Sequence, residues 1–303
     1  MNKIPVTQTV AESYRFTFGG LSTVIGLIWL PIVILTVGGY FTLVPYFSEM
    51  ADALENGDVN RQGALMLRQL AFEIAMIVLM AMIAVAIVRE ILSPVQRPAF
   101  LRFALGPAEF RAVGGFIGLF MLLIVFTLIL KIIAPVIEYA AQAVLPAAGA
   151  AAGSKGAGGI GALADVIGIC VLIYLMVRLG FLMVPASVTE GRFGIERSWQ
   201  LSKGNFWRIL AVMVMTLLPV ILVAGVIDLA ILGPDFLNPH LELARDPAAQ
   251  MRRAAEQMRQ MSVHLPLMMG VGFLLAPFTY GMIFAPAAFA YRALTAKDET
   301  PQA

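Results

Sequence analysis

Apolar residues in this chain run in long unbroken stretches rather than in alternation with polar ones. Six stretches qualify as helices able to cross a bilayer: 21–45, 70–92, 113–134, 162–187, 209–233 and 264–292. A span needs about 20 mostly apolar residues to cross roughly 30 Å of hydrocarbon. Continuous hydrophobicity excludes the alternating strands of an outer-membrane barrel. Within lipid, a helix closes its own backbone hydrogen bonds. The pattern therefore predicts an all-α membrane protein of six transmembrane helices, forming one integral membrane domain over residues 1–303. The last stretch is long enough to tilt or to continue past the membrane. The longest connections, 46–69 and 234–263, are expected to hold one helix each. Both are shorter than the roughly 50 residues of the smallest domains, so neither has room for a soluble catalytic domain.

The lead-ins to the odd-numbered spans look alike. Val6, Val10, Tyr14 and Phe18 recur every four residues ahead of Gly19-Gly20, an apolar stripe along a helix. Phe100 and Phe103 precede Gly106-Pro107, and Ile195, Trp199 and Phe206 share a face interrupted by Gly204. Ser13-Tyr14, Phe16-Thr17 and Gly19 align by type with Ser198-Trp199, Leu201-Ser202 and Gly204, at a constant offset of 185 (198 − 13). Three repeats are expected, each a cytoplasmic amphipathic elbow followed by a two-span hairpin. The alternative is generic, since aromatic lead-ins broken by glycine precede many membrane helices.

Composition strengthens the membrane assignment. The chain is 60% hydrophobic and 13% charged, with mean hydropathy +0.86, against about 25% charged residues in soluble domains. A net charge of +2 without a basic run gives no reason to expect nucleic acid. The single cysteine, Cys170, lies in an apolar run, which excludes an intramolecular disulfide framework. Lys3 and Arg15 are too dispersed, and the following run too long, for a signal peptide, so that run is expected to remain as the first span. With the N-terminus inside, 12 Lys and Arg lie on the cytoplasmic side and 7 outside, leaving Lys131 and Arg178 within spans. This bias predicts a bacterial inner-membrane protein with both termini cytoplasmic.

The most specific pattern covers residues 177–208: Arg178, Pro185, Glu190-Gly191, Arg197-Ser198-Trp199, Leu201, Gly204 and Phe206. These ten residues resemble, one by one, a block of the membrane domain attached to some bacterial glycerophosphodiester phosphodiesterases. The block is also similar to that of stand-alone YciC-type membrane proteins. The likeness spans about 30 residues; elsewhere only hydropathy agrees. In that family, catalysis belongs to a separate soluble domain with His and carboxylate metal ligands. This chain has only His240 and His264. The resemblance therefore implies a non-catalytic membrane protein without cofactor or metal, acting in membrane organisation or lipid-associated homeostasis. Its expected partners are membrane lipids and a membrane or soluble protein; the sequence leaves the oligomeric state open.

The same block has a physical reading. Trp199, Phe206 and Trp207 suit the headgroup level, and Arg197, Lys203, Trp207 and Arg208 are candidates for lipid-headgroup contacts. Anchoring alone explains these features. Arg178 lies about nine residues in from residue 187, roughly 14 Å at 1.5 Å per residue, close to mid-bilayer. An intramembrane arginine costs at least about 2.5 kcal/mol, so it should face the bundle and have a partner. Asp165 and Asp228 fall toward the outside, Glu90 and Glu190 toward the inside; Glu190 is reachable by snorkelling. A structural clamp and a substrate-binding arginine are both open.

Weaker features add little. Lys131 and Glu138 share a face if the helix passes Pro135, though snorkelling of Lys131 is the simpler reading. Met251, Ala255, Met258 and Met261 read as an apolar stripe, more so than as a soft metal site with His264. Ala147 to Gly161 lacks the Gly-Lys-Ser/Thr order of a phosphate-binding loop. Two other functions compete. Pro31, Pro219, Pro277 and Pro286 within spans would suit the broken helices of a transporter or channel. A lipid-modifying enzyme lacks a His/carboxylate cluster within the bilayer.

Overall fold

The computed structural model describes residues 3–93, 106–144, 166–233 and 247–296. Among the described residues the regular structure is entirely helical, and six helices are long and apolar enough to cross a membrane. Helix α1 (Val6–Tyr14) passes through a π-helical turn (Arg15–Gly19) into α2 (Leu21–Glu55). Then come α3 (Val59–Leu92), α4 (Pro107–Val144) and α5 (Val166–Thr189). The short α6 (Gly194–Leu201) leads to α7 (Phe206–Leu232) and α8 (Pro247–Thr295).

Each expected span lies mostly within one of these helices, but the ends differ. Segment 46–69 is not a connection holding one helix. It is the end of α2, a turn at 56–58, and the start of α3. Gly57 supplies the left-handed φ of +65°. The Asp58 carboxylate caps α3 by accepting the Arg61 N–H at 3.0 Å. Likewise α8 begins at Pro247, so the second half of the 234–263 connection is continuous with the last span. At 1.5 Å per residue α8 is roughly 74 Å long and α2 about 52 Å. Both exceed the hydrocarbon thickness and project beyond it. The α2 projection meets α3 around Met50, Ala53 and Leu65, and Arg259 of the α8 projection pairs with Glu55 and with Asp52 (3.2 Å). Hydropathy reads such charged helix ends as loops.

The main core joins α2, α3, α4, the end of α5, and α8, with Val24, Ile28, Ile83, Ile87, Ala285 and Ala288 fully buried. A second core forms where α5, α7, α8 and the segment before α1 converge on Ile4, Val177, Leu182, Ile209 and Tyr291. Helix α8 is central, packing along α2 and also touching α1, α3 and α7. The outer faces of α4 and α7 expose Leu128, Ile132, Ile221 and Val226. Such faces would be unstable in water and suit hydrocarbon.

The two described elbows are built differently. Helix α1 packs on the distant α7 and α8: Glu12 pairs with Arg292 at 2.6 Å, and the Tyr14 hydroxyl donates to the Met215 carbonyl at 3.0 Å. Helix α6 instead folds back on the span that precedes it. Phe100 and Phe103 of the second expected elbow lie outside the described residues, as do the Ala147–Gly161 loop, Asp165, His240 and the Lys131 and Glu138 side chains. The described residues do not establish a threefold repeat.

Past the second elbow, α4 starts with a device the hydropathy reading passed over. The Gly106 N–H donates to the Glu109 carboxylate at 3.0 Å, half of a capping box. The same carboxylate, buried at 5% exposure, pairs with Arg89 of α3 at 2.6 Å. Glu109→Ala is expected to lower the unfolding free energy by about 1–2 kcal/mol, the scale of a lost cap plus a charged hydrogen bond. Glu109→Gln, which keeps the acceptor, should lose less. Midpoints of SDS unfolding in bicelles measure both; equal losses would rule out the capping role.

Candidate functional site

The block singled out in the sequence forms one compact structure around a break in α5. Regular α-helix gives way to a π-helical turn at Met176–Gly180, marked by the Phe181 N–H donating to the Met176 carbonyl at 3.1 Å. The chain is irregular over Phe181–Leu182 and then resumes as helix at Met183–Thr189. Pro185 sits in the first turn of that resumed helix, where its missing N–H costs no bond. Gly191, with φ of +67°, turns the chain back into α6.

Helix α6 runs antiparallel to the end of α5. At its start, the Gly194 N–H donates to the Ser187 hydroxyl at 2.9 Å, which in turn donates to the Met183 carbonyl at 2.8 Å. At its end, the buried Ser198 and Ser202 hydroxyls donate to the Arg178 carbonyl at 3.0 and 3.3 Å. Trp199 lies over the Arg178 guanidinium, its ring centroid 4.0 Å from Cζ, and Tyr174 is 5.9 Å away. Arg178 is 8% exposed. Its Nε has no hydrogen-bond partner, and the described residues offer no acceptor to its terminal nitrogens.

Glu190 does not serve Arg178. Its carboxylate accepts from Arg197 Nε at 2.7 Å and from the Tyr291 hydroxyl at 2.9 Å. Thr189 donates to Tyr291 at 2.7 Å, which ties the α5–α6 turn to α8. The buried arginine, expected to have a partner, finds it in aromatic rings and not in Glu190. This is physically sound, because a cation over an indole face is worth about 2 kcal/mol when desolvated.

The remaining block residues close the structure. Leu201 and Phe206 pack on the second core, and Phe206 lies 5.4 Å from Tyr174, centroid to centroid. Gly204 adopts φ of +74° with open space at its Cβ position, so backbone conformation alone demands glycine there. Asn205 accepts the Ile4 N–H at 3.2 Å, and Arg208 donates to the Ile4 carbonyl at 2.8 Å. One arginine expected at headgroups thus also anchors the start of the chain. Lys203 and Trp207 are exposed, Trp207 at 76%.

Sequence reasoning missed Ser187, Gly194 and Tyr291, and left Ser202 and Asn205 without roles. Gly194 carried a usable signal, as a glycine at the start of a helix following a tight turn. Two cavities lie elsewhere. One, of about 350 Å³, is bordered by Thr36, Gly39, Phe72, Ala224, Met269 and Tyr280. The other, of about 240 Å³, lies beside Gln8, Thr9, Glu12 and Arg292. Neither is lined by Arg178. No protein-family model, curated protein or solved structure matches the chain.

A Cβ on Gly194 would stand 1.9 Å from the Met183 carbonyl oxygen and 2.6 Å from Ser187 Oγ. Backbone cannot yield there as a side chain does. Gly194→Ala should therefore separate α6 from α5 and cost at least about 2 kcal/mol, within the range for overpacked sites. A fall in the SDS-unfolding midpoint, with faster proteolysis near residues 190–205, would report it; an unchanged midpoint would contradict the close packing.

Proposed function

We propose that this chain is a non-catalytic, multi-pass protein of the bacterial inner membrane, with both termini cytoplasmic. Its role is membrane organisation or lipid-associated homeostasis, as in the membrane domains of glycerophosphodiester phosphodiesterases and the YciC-type proteins that its 177–208 block resembles. One observation carries the reading: the carboxylate and the buried serine hydroxyls of that block are engaged in contacts within the protein. Glu190 is held by Arg197 and Tyr291, Ser198 donates to the Arg178 carbonyl, and Ser202 is shared between the Arg178 and Trp199 carbonyls. A nucleophile or general base must be free to meet a substrate; these hydroxyls and this carboxylate hold a fold together. The larger cavity has a mostly apolar border, which favours contact with lipid over passage of a polar solute.

Deleting the gene is expected to alter phospholipid composition or envelope sensitivity to detergent, with restoration by the wild-type gene and not by the Gly194→Ala variant. Unchanged lipids and envelope would sink the homeostasis role. Topology is tested separately in a Cys170→Ser background. A cysteine at Asn60 should label with an impermeant maleimide in intact spheroplasts. One at Lys3 should label only after permeabilisation, and the opposite result would reverse the orientation.

A further inference from the structure

The fold-back around α5 uses two parts of Arg178 and leaves the third unused. Its carbonyl is taken by Ser198 and Ser202. One face of its guanidinium is covered by Trp199 at 4.0 Å. What remains is the edge, where a guanidinium carries five N–H donors in one plane. Nε is buried without a partner, and the described residues offer the terminal nitrogens no acceptor. A desolvated cation with an empty donor edge is an incomplete site.

We propose that Arg178 docks the phosphate diester of a membrane lipid. The missing acceptor must be anionic and must present oxygens in the guanidinium plane, and it must be present where Arg178 is. A phosphate diester meets the first two conditions through the paired geometry that arginine favours. The membrane supplies it at high local concentration, which meets the third. The surroundings allow approach from the side. Tyr174 is 41% exposed, Lys203 is exposed directly after Ser202, and Trp207 stands out at 76% exposure. Depth is not an obstacle. Because α6 runs back along α5, its polar last turn and the 202–205 turn lie level with Arg178. That polar backbone, with the Lys203 ammonium, draws the headgroup layer inward at this point of the bundle. The inference rests on the membrane placement and not on the homeostasis role, so a silent deletion strain would leave it standing.

Native mass spectrometry of the full-length protein, delipidated in detergent and then given defined lipids, tests it. Phosphatidylglycerol and phosphatidylethanolamine should be retained by the wild type. Retention should fall roughly tenfold in Arg178→Gln, the scale of losing a paired charge-assisted contact. Diacylglycerol, with the same tails and no phosphate, should be retained weakly and equally by both. Arg178→Lys keeps the positive charge beside the indole but loses the planar fork. It decides the matter if Arg178→Gln does not survive extraction, and it should retain severalfold less phospholipid than wild type. Equal phospholipid retention by wild type and variant would overturn the proposal, as would equal retention of diacylglycerol and phospholipid by the wild type. Displacement of bound phospholipid by excess inorganic phosphate would assign the site to a soluble anion and remove the lipid.

Discussion

A backbone in hydrocarbon has no water to complete its hydrogen bonds, yet this chain breaks its fifth helix partway along. Part of the 177–208 block answers that constraint. The π-helical turn shifts the ladder by one residue at the Phe181 N–H, and a turn at Phe181–Leu182 follows before the helix resumes. The polypeptide then doubles back and brings two serine hydroxyls to the Arg178 carbonyl and an indole to its guanidinium. Ser198 thus patches the helix break, Trp199 covers the buried cation beside it, and Arg197 holds the turn through Glu190. Glycines at 191 and 204 mark the two reversals that the patch requires.

The two ends of the bundle are held by different means. At the elbow end, separate carboxylate–arginine pairs fasten neighbouring segments: Glu12–Arg292, Glu109–Arg89 and Glu190–Arg197. Exposed pairs of this kind contribute little singly. Glu109 differs because it is buried and caps a helix as well. At the far end no separate domain is needed, since α2 and α3 simply continue and share a small apolar core, and Arg259 of the extended α8 pairs with α2 beside it. Between the ends, close packing replaces polar contacts. A Cβ on Gly281 of α8 would come within 2.7 Å of Thr17, so the π-helical turn before α2 sits almost directly on the α8 backbone.

The spans were legible because hydrocarbon selects directly for residue type, and length then fixes the element. Their ends were not, because Asp52, Glu55 and Arg259 read as loop residues although they pair across helices. The block around Arg178 was legible as a list, and not as an arrangement. Its partners are a backbone carbonyl, a tyrosine about one hundred residues away on α8, and Ile4 near the opposite end of the chain. Nothing in local spacing encodes such contacts. Glu109 was within reach, since glycine, proline and a carboxylate at the third helical position form a recognisable helix start.

The anchoring of Ile4 bears on how the molecule is assembled. Its N–H and carbonyl are bound by Asn205 and Arg208, and the following helix by Met215 and Arg292. Among the described residues, the polar contacts that hold this segment come from α7, the turn before it and α8, so they form only once those later helices are in place. Until then α1 is a free amphipathic segment, open to the lipid surface or to an insertion factor. Its docking thus waits on segments about 200 residues or more further along the chain.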